Sequence, residues 1–340
     1  MEYWKEIDNK LQPWIDTDLN KTVVDLFAGC GGLSLGFEAN GFKTIGFEMD
    51  ANASSTYNKN LLGECFTEKL TPESIYPKAD IVIGGPPCQP FSVGGKQLGL
   101  KDARDGFPIF LSAIRQLAPE VLMFENVRGM LYKNQWYLKE VINELERLGY
   151  YIDYALLNAV NYEVPQNRER VIVIGAKTNI KLPPPIRRTI TAGEALGTLA
   201  FEFDEKSKFF TESMDKYVAN YEKASKCINP RDLYLDKPAR TLTCRNLAGA
   251  TGDMHRVRLK DGRRRRLTVK EASRLQSFPD WFEFQGTETH QFNQIGNAVA
   301  PNFAFHLAKH IKKHLTIKSA NEAPIIEFGQ LKLFENEAVY

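Results

Sequence analysis

Residues 22–42, TVVDLFAGCGGLSLGFEANGF, decide the fold of this chain. They begin with a short β-branched run, TVVDLFA (22–28), and pass through a glycine turn into GGLSLGFEANG (31–41), which has the length and apolar spacing of a helix. A buried strand that runs directly into a glycine turn and a helix is the repeating unit of α/β proteins. The segment therefore predicts an α/β fold.

The same alternation of short apolar runs and helix-length amphipathic segments continues to residue 176. Strands that are apolar throughout are buried on both faces, so the repetition predicts a doubly wound, mostly parallel sheet with helices on each side. The further predicted strands span residues 43–49, 80–85, 120–126, 151–159 and 170–176, and the further predicted helices span residues 51–60, 107–118 and 135–149.

A second, smaller and irregular domain is predicted after the alternation stops at LPPPIRR (182–188), because three consecutive prolines end regular structure. Near the end of the chain, QIGNAVAPNFAFHLAKHIKKHL (294–315) predicts one amphipathic helix that packs back on the first domain. The predicted organisation is an N-terminal extension (1–20), a first domain (21–176), a second domain (177–290), a returning helix (291–318) and a C-terminal tail (319–340).

The composition excludes several classes of protein. Of the 340 residues, 43% are hydrophobic and 25% are charged, which excludes a collagen-like chain and wholesale disorder. No apolar run approaches the ~18 residues of a membrane span, and no signal peptide is visible, so we expect a cytoplasmic protein. The five cysteines have no spacing suited to zinc, so neither a metal site nor a disulfide framework is expected.

Positive charge is concentrated in one stretch of the second domain. Between Arg240 and Lys270, ten Lys and Arg side chains stand against two acids, a net charge of +8 in a chain whose total is +2. The remainder of the chain is therefore net −6. Such a distribution predicts a polyanionic partner, although a solvated basic face would have the same composition.

The glycine turn at the end of the first strand predicts a nucleotide-like ligand. It lies at the carboxyl end of a strand, where α/β sheets bind such ligands, but its spacing differs from the GxGxxG of dinucleotide sites. Glu48 closes the second strand about 20 residues later, where an acid can accept hydrogen bonds from both ribose hydroxyls. The combination favours an adenosine cofactor other than NAD.

The segment GGPPCQPFS (84–92) predicts a reactive thiol, because its prolines leave Cys88 on a stiff loop at the same edge of the sheet. A free cysteine is more often a small buried hydrophobe. Two neighbouring features favour the catalytic interpretation. Glu125 ends the next apolar run, where it could protonate or hydrogen-bond a substrate nitrogen, and QNRER (166–170) carries two arginines at alternate positions.

Taken together, these motifs resemble those of the DNA cytosine-5 methyltransferases of bacterial restriction-modification systems. Six motifs occur in the family's usual order, and the poorly matching residues 177–265 correspond to its variable target recognition domain. The resemblance implies a Rossmann-like catalytic domain that binds S-adenosylmethionine. The matching motifs are DLFAGCGGLSLGFEANGF (25–42), GGPPCQPFS (84–92), ENV (125–127), QNRERV (166–171), RLTVKEASRLQSFPD (266–280) and QIGNAVAPNFA (294–304).

By this resemblance, the thiolate of Cys88 attacks C6 of a cytosine that has rotated out of the duplex. Glu125 holds or protonates N3, Arg170 binds O2, and Arg168 supports the loop that bears Cys88. The implied catalytic residues are Cys88, Glu125, Arg168 and Arg170.

For the cofactor, the resemblance places the first glycine turn around the methionine and adenine, with Glu48 on the ribose. One position departs from the family, where many members have an aspartate that accepts from the adenine amino group. Thr67 stands there, and the adjacent Glu68 is the alternative acceptor. The implied cofactor-binding residues are Phe27, Gly29, Gly31, Glu48, Glu68 and Asn297.

The basic stretch supplies the predicted DNA contacts. The run from Arg263 to Arg266 is expected to touch phosphates, whereas Arg240, Arg245 and Asn246 carry donor sets that suit either base reading or a scaffold role. The predicted DNA-binding residues are Arg240, Arg245, Asn246, Arg256, Arg258, Arg263, Arg264 and Arg265.

The sequence thus predicts a monomeric, nucleoid-associated enzyme that acts on double-stranded DNA, with a cognate restriction endonuclease as a functional partner without stable contact. One alternative is a tRNA cytosine-5 methyltransferase, but the recognition segment lacks that branch's Cys-Phe-Thr signature, and Cys65-Phe66-Thr67 lies elsewhere. Another is a DNA-binding regulator without catalysis, which the presence of all four implied catalytic residues disfavours.

Overall fold

The computed structural model describes residues 2–87, 105–186, 188–205, 207–224, 231–249 and 252–322. Within these ranges, seven strands form one sheet in the order β3-β2-β1-β4-β5-β8-β6. The strands of this sheet are β1 (Thr22–Leu26), β2 (Lys43–Glu48), β3 (Glu64–Thr67), β4 (Ile81–Gly84), β5 (Val121–Val127), β6 (Tyr151–Asn158) and β8 (Glu169–Ala176), and β7 (Gln166–Asn167) lies outside it.

The sheet is mostly parallel, as the apolar runs predict. The pairs β1–β2, β1–β4, β2–β3 and β4–β5 are parallel, and β8 pairs antiparallel with both β5 and β6. The edge strand β3 was not predicted, because in its four residues, ECFT, only Cys65 is buried and the local pattern carries no apolar run.

The helices of the first half confirm the predicted alternation. Helix α2 begins at the glycine turn, and α4 begins at Phe107 with Pro108 in its first turn, where a missing N–H costs nothing. The helices are α1 (Tyr3–Lys10), α2 (Gly32–Glu38), α3 (Ala51–Asn60), α4 (Phe107–Leu117) and α5 (Gln135–Arg147).

The second half of the described chain consists of short elements that surround one two-stranded ribbon, β10–β11. Strand β9 pairs in parallel with β7, so the second domain is hydrogen-bonded to the segment that precedes β8. These elements are α6 (Ala192–Leu196), α7 (Glu212–Ala224), β9 (Ala239–Arg240), α8 (Cys244–Ala248), β10 (Arg256–Arg258), β11 (Arg264–Arg266) and α9 (Val269–Leu275).

The single helix predicted over residues 294–315 is wrong. Two helices occupy this region, α10 (Glu288–Asn297) and α11 (Pro301–Glu322), and the intervening Ala298 is extended. Pro301 causes the break, because it lacks an N–H and disfavours helical backbone at the residue before it. Helix α10 packs against α8 and α9, whereas α11 packs along α2.

Apolar layers cover both faces of the sheet. Successive residues of β1 enter different layers, with Val23 in the layer that includes α2 and α11 and Val24 in the layer that includes α4 and α5. Residues of β4 alternate in the same way, which is the signature of a doubly wound sheet. No helix among the described residues is long and apolar enough to cross a membrane.

The residues predicted as an N-terminal extension are buried in an apolar cluster that includes residues of both predicted domains. Tyr3 and Ile7 of α1 are buried in one apolar cluster with Leu196 of α6 and Leu275 of α9. The Tyr3 hydroxyl also donates to the carbonyl oxygen of Glu163 at 2.8 Å. Helix α1 therefore contacts both halves of the protein.

Candidate active site

A cavity of about 1100 Å³ opens at the carboxyl ends of β1, β2, β4 and β5. This is the edge at which open α/β sheets bind their ligands. The cavity is lined by the turn after β1, the end of β2, the segment Gly85–Pro87 after β4, the end of β5 and residues 293–299. Segments distant in sequence therefore meet at one site.

The turn after β1 is built around the carboxylate of Glu48. Glu48 Oε2 accepts from the backbone N–H of Gly29 at 2.9 Å, and Oε1 accepts from Asp50 N at 2.8 Å. Phe27 has φ +61°, a left-handed conformation that is uncommon for a bulky residue and clusters at functional sites. A Cβ at Gly29 would meet no atom within 4 Å, so the backbone here presents an open cradle.

Gly31, which the resemblance also implies as a cofactor-binding residue, does not line the cavity. A Cβ at Gly31 would lie 2.8 Å from Tyr57 Cδ2 and 3.1 Å from Leu61 Cδ1. Its φ of +88° is also a glycine conformation. The residue is therefore required for the turn and for the close approach of α3, while the cavity wall is formed by its neighbours.

Thr67 and Glu68, the two candidates for the adenine contact, differ in whether they line the cavity. Thr67 donates its hydroxyl to Ser54 Oγ at 2.8 Å, away from the cavity, whereas Glu68 lines the cavity. Glu68 is held there by the end of β2, because its backbone N–H donates to Glu48 O at 2.9 Å. The carboxylate of Glu68 is thus the available acceptor.

At the other end of the cavity, Glu125 and Arg170 form an ion pair. Arg170 Nε lies 2.8 Å from Glu125 Oε1, with side chains 14% and 13% exposed. The pair is positioned by the antiparallel register of β5 and β8, which places Val127 opposite Arg170. Toward a substrate, the carboxyl group of such a pair can accept a hydrogen bond or, when protonated, donate one. The guanidinium beside it can only donate.

Cys88 lies outside the described residues, but the segment that leads to it is in place. Pro86 and Pro87 line the cavity beside Glu125. Asn126 Nδ2 donates to Pro86 O at 2.9 Å, which ties the end of β5 to the chain just before Cys88. The sequence motif ENV thereby contributes a second residue, Asn126, whose anchoring role was not predicted.

Gly106 lies beside Pro87, so the two ends of the segment that bears Cys88 meet. We call residues 86–87 and 105–106 the stem of this segment. Gly106 N donates to Pro87 O at 2.9 Å. Asp105, 4% exposed, accepts from Phe107 N at 3.1 Å and from the Tyr137 hydroxyl. The stem is therefore fixed to the first turn of α4 and to α5.

We expect Gly106→Ala to impair catalysis through this stem. A Cβ at Gly106 would lie 2.4 Å from Pro87 Cδ and 3.0 Å from Phe27 Cζ, and relieving such overpacking costs about 1–3 kcal/mol. Because displacing a reacting group by about 1 Å can cost ~10²-fold in rate, single-turnover methyl transfer should fall by roughly that factor. Gly129→Ala is the control, since its Cβ would meet only Val127 Cγ2 at 4.0 Å. An unchanged rate in folded Gly106→Ala would contradict this role.

The described contacts of Arg168 join the two domains. Its guanidinium, 2% exposed, donates to Leu242 O at 2.8 Å, Ala298 O at 2.9 Å and Gly296 O at 3.2 Å. Burial lowers the pKa of Arg168 to about 9. The predicted support of the loop bearing Cys88 involves residues that the structure does not describe, so that role stays a prediction.

Two glutamines complete this junction and were not predicted as site residues. Gln166 Oε1 accepts from Leu242 N at 2.8 Å, and Gln276 Nε2 donates to Ile295 O at 3.0 Å and Ala298 O at 2.8 Å. Both side chains are fully buried. Both lie in motifs quoted for the family resemblance, QNRERV (166–171) and RLTVKEASRLQSFPD (266–280).

Two of the predicted DNA-binding residues are buried in ion pairs. Arg256 is fully buried and paired with Glu222 and Asp232, and Arg265 is 1% exposed and paired with the equally buried Glu271. Guanidiniums in such positions are neutralised inside the domain and cannot reach a phosphate. The count of positive charges in the sequence overstates the cationic surface for this reason.

Two more predicted contacts are engaged in the scaffold. Asn246 is 3% exposed, caps the start of α8 and donates to Thr241 O at 2.9 Å, so it does not face a base. Arg264, with a side chain 20% exposed, pairs with Asp215 and Asp232.

The remaining predicted DNA contacts have solvent access. Arg245 is exposed, and the side chains of Arg258 and Arg263 are 53% and 51% exposed. Arg263 stacks 4.4 Å from the Phe209 ring centroid, and Arg240 is partly exposed beside Asp253. The cationic surface is thus smaller than the sequence predicts, and most of its members also contact acids or rings.

Comparison with known proteins agrees with this arrangement. The model of the family described as C-5 cytosine-specific DNA methylase matches residues 21–313. A type II methyltransferase of Arthrospira platensis, M.AplI, is 52% identical over 340 residues, which cover 98% of each chain. The type II methyltransferase M.FnuDI of Fusobacterium nucleatum is 33% identical, with 87% of this chain and 95% of that protein covered.

Solved structures support the fold. A methyltransferase of Entamoeba histolytica aligns with a TM-score of 0.66 at 19% identity, covering 87% of this chain and 99% of the other. The Dnmt2 methyltransferase of S. pombe gives a TM-score of 0.66 at 18% identity, covering 89% and 100%. With the family match, the full-length relatives and the sheet-edge cavity in agreement, the predicted resemblance is confirmed: the chain belongs to the C-5 cytosine-specific DNA methylases and is a DNA cytosine-5 methyltransferase.

Proposed function

We propose that this enzyme transfers a methyl group from S-adenosylmethionine to C5 of a flipped-out cytosine in a short duplex DNA sequence, through a covalent bond between Cys88 and C6. We further propose that the modification protects DNA from a cognate restriction endonuclease, with which the monomeric enzyme makes no stable contact. The observation that carries the proposal is that Glu125, which is paired with Arg170, lines the same cavity as the Glu48 turn.

The cofactor end of the cavity fits S-adenosylmethionine, which supplies the methyl group when bound. Glu48 offers a carboxylate for the ribose hydroxyls, and Glu68 offers an acceptor for the adenine amino group. The open backbone at Gly29 allows close approach of a ligand, because a Cβ there would point into free space. The residues proposed to hold the cofactor are Phe27, Gly29, Glu48, Glu68 and Asn297.

At the base end, the Cys88 thiolate forms a bond to C6 of cytosine, and the electron pair of the C5–C6 double bond becomes available at C5. Glu125 hydrogen-bonds or protonates N3, so that charge entering the ring is stabilised, while Arg170 donates to O2 and holds the Glu125 carboxylate. After C5 has taken the methyl group, the C5 proton leaves, the double bond re-forms, and the C6–S bond breaks.

Access to C6 requires that the base leave the helical stack. The cavity volume of about 1100 Å³ is large enough for a base together with a cofactor. We propose that the second domain is the target recognition domain and that Arg245, Arg258 and Arg263, which are exposed, contact the DNA phosphates. Arg240, which is partly exposed beside Asp253, is proposed to read a base.

We expect Glu125→Gln to reduce methyl transfer by roughly 10²- to 10⁴-fold, the usual contribution of a positioned general acid. Glutamine keeps a similar shape beside Arg170 but cannot protonate N3. The matched control is Glu169→Gln, because Glu169 is the residue before Arg170 and pairs instead with the exposed Arg128, which follows β5. The measurement is the single-turnover rate on a methylatable duplex. Full activity in Glu125→Gln would remove Glu125 from the mechanism.

The proposed function is tested by bisulfite sequencing of plasmid DNA from cells that express the enzyme, with an empty vector as the control. Protected cytosines confined to one short motif are the expected result. A purified complex with a duplex that carries 5-fluorocytosine at the target should be stable to denaturant, because fluorine at C5 prevents the final elimination. Unmodified plasmid from cells with folded protein would refute the proposed reaction.

A further inference from the structure

A thiol of the second domain touches a residue of the proposed cofactor site. Cys244 Sγ donates to Asn297 Oδ1 at 2.9 Å, and its next acceptor, Asn293 O, is farther away at 3.4 Å. Asn297 lines the cavity. Cys244 is the first residue of α8 and follows strand β9 in the proposed target recognition domain. The contact thus joins a DNA-recognition segment to the wall of the cofactor cavity.

The close packing of α8 on α10 fixes this contact. A Cβ at Gly296 would lie 2.4 Å from Cys244 N and 2.6 Å from Thr243 C, so only glycine allows this approach. Thr243 caps α8 through a reciprocal side-chain and backbone pair with Asn246. Arg168 adds a third restraint by donating to Gly296 O at 3.2 Å. The start of α8 is therefore held beside Asn297 from several directions.

The direction of the hydrogen bond determines what Asn297 presents to the cavity. Burial raises the pKa of Cys244, so its sulfur carries a proton and acts as the donor. A carboxamide that accepts through Oδ1 has its Nδ2 group on the opposite side of the terminal carbon. The Nδ2 group of Asn297, a residue that lines the cavity, is then left as a donor, for which the carboxylate at the methionine end of the cofactor would be a matching acceptor.

We propose that Cys244 is a positioning residue that sets the orientation of the Asn297 amide for cofactor binding. This inference rests on the proposed function, because it assumes that the cavity holds S-adenosylmethionine. It adds that the target recognition domain contributes to the cofactor site through a side chain that is absent from the family motifs quoted above. Shifts of the recognition segment are transmitted to Asn297 by this contact.

The test is the affinity for S-adenosylhomocysteine, the unreactive product, measured by isothermal titration calorimetry. Cys244→Ala should raise Kd about 3- to 10-fold, as expected for the loss of one hydrogen bond of ordinary net strength. Cys244→Ser is the matched control, because its hydroxyl keeps a donor at the same position, and its Kd should stay within about 2-fold of the wild type. Equal losses in the alanine and serine variants would overturn the proposal.

A double-mutant cycle shows whether the thiol acts through Asn297. Once Asn297→Ala has raised Kd, adding Cys244→Ala should produce no further change, because the partner of the thiol is gone. Fully additive losses would overturn the proposal, as would a wild-type Kd in Cys244→Ala. If the wild-type enzyme itself bound no S-adenosylhomocysteine, the proposed function would fail, which is a result distinct from these.

Discussion

Replacing Cys88 with serine should lower the rate of methyl transfer by roughly 10⁴-fold or more, the scale on which covalent enzymes lose activity without their nucleophile. The physical reason is that an alkyl hydroxyl stays protonated near neutral pH, whereas a thiol supplies a useful fraction of thiolate. DNA and cofactor affinity should be retained, because the substitution is small and removes no charge contact. The measurements are single-turnover methyl transfer and gel-shift affinity for the same duplex.

The covalent step has its own readout. Wild-type enzyme with a 5-fluorocytosine duplex should give a complex that survives denaturing electrophoresis, and Cys88→Ser should give none. Mass spectrometry of a digest locates the adduct. An adduct on Cys244 instead, or methyl transfer by Cys88→Ser at the wild-type rate, would disprove the assignment of the nucleophile.

The second large effect concerns stability and follows from the burial of Arg265. Its Nη1 and Nη2 donate to Glu271 Oε2 and Oε1 at 2.8 and 2.7 Å, and both side chains are almost entirely buried. Arg265→Ala leaves the Glu271 carboxylate unpaired in the interior. We therefore expect a loss of about 3–5 kcal/mol in the free energy of unfolding, measured by urea denaturation.

Arg245→Ala is the control for this experiment, because Arg245 belongs to the same basic stretch but is exposed. Its free energy of unfolding should change by no more than about 0.5 kcal/mol. The two variants separate a structural arginine from a surface one, which charge counting in the sequence cannot do. Equal stabilities for Arg265→Ala and the wild type would contradict the buried pair.

The position of Glu48, Glu125 and Arg170 at one edge of the sheet could largely be predicted from sequence, because it follows from local patterns. Glu48 and Glu125 lie at the ends of parallel strands, which meet at one edge of the sheet, and Arg170 near the start of β8 reaches the same edge because β8 runs antiparallel to β5. Glu48 and Glu125 line the cavity, and Arg170 pairs with Glu125. The role of Gly31 could not be read from sequence, because a positive-φ glycine serves helix packing as readily as ligand approach.

For the basic stretch between Arg240 and Lys270, local sequence could not predict which arginines are buried. Arg256 is neutralised by Glu222, 34 positions earlier, and by Asp232, 24 positions earlier. No pattern within a few residues of Arg256 reports on those partners. Sequence therefore predicted that the stretch is basic, but it could not predict which arginines remain available to DNA.

The sequence by itself determined the alternation of strands and helices in the first half of the chain, the sheet-edge location of the site and the family, because apolar periodicity, glycine turns and contiguous motifs are local properties. Only the tertiary structure decided which cations are exposed, how Arg168, Gln166 and Gln276 join the two domains, and that Cys244 touches Asn297. Each of these depends on burial and on hydrogen-bond partners that are far apart in the chain. Such partners are brought together by the packing of the whole core, which no local pattern encodes.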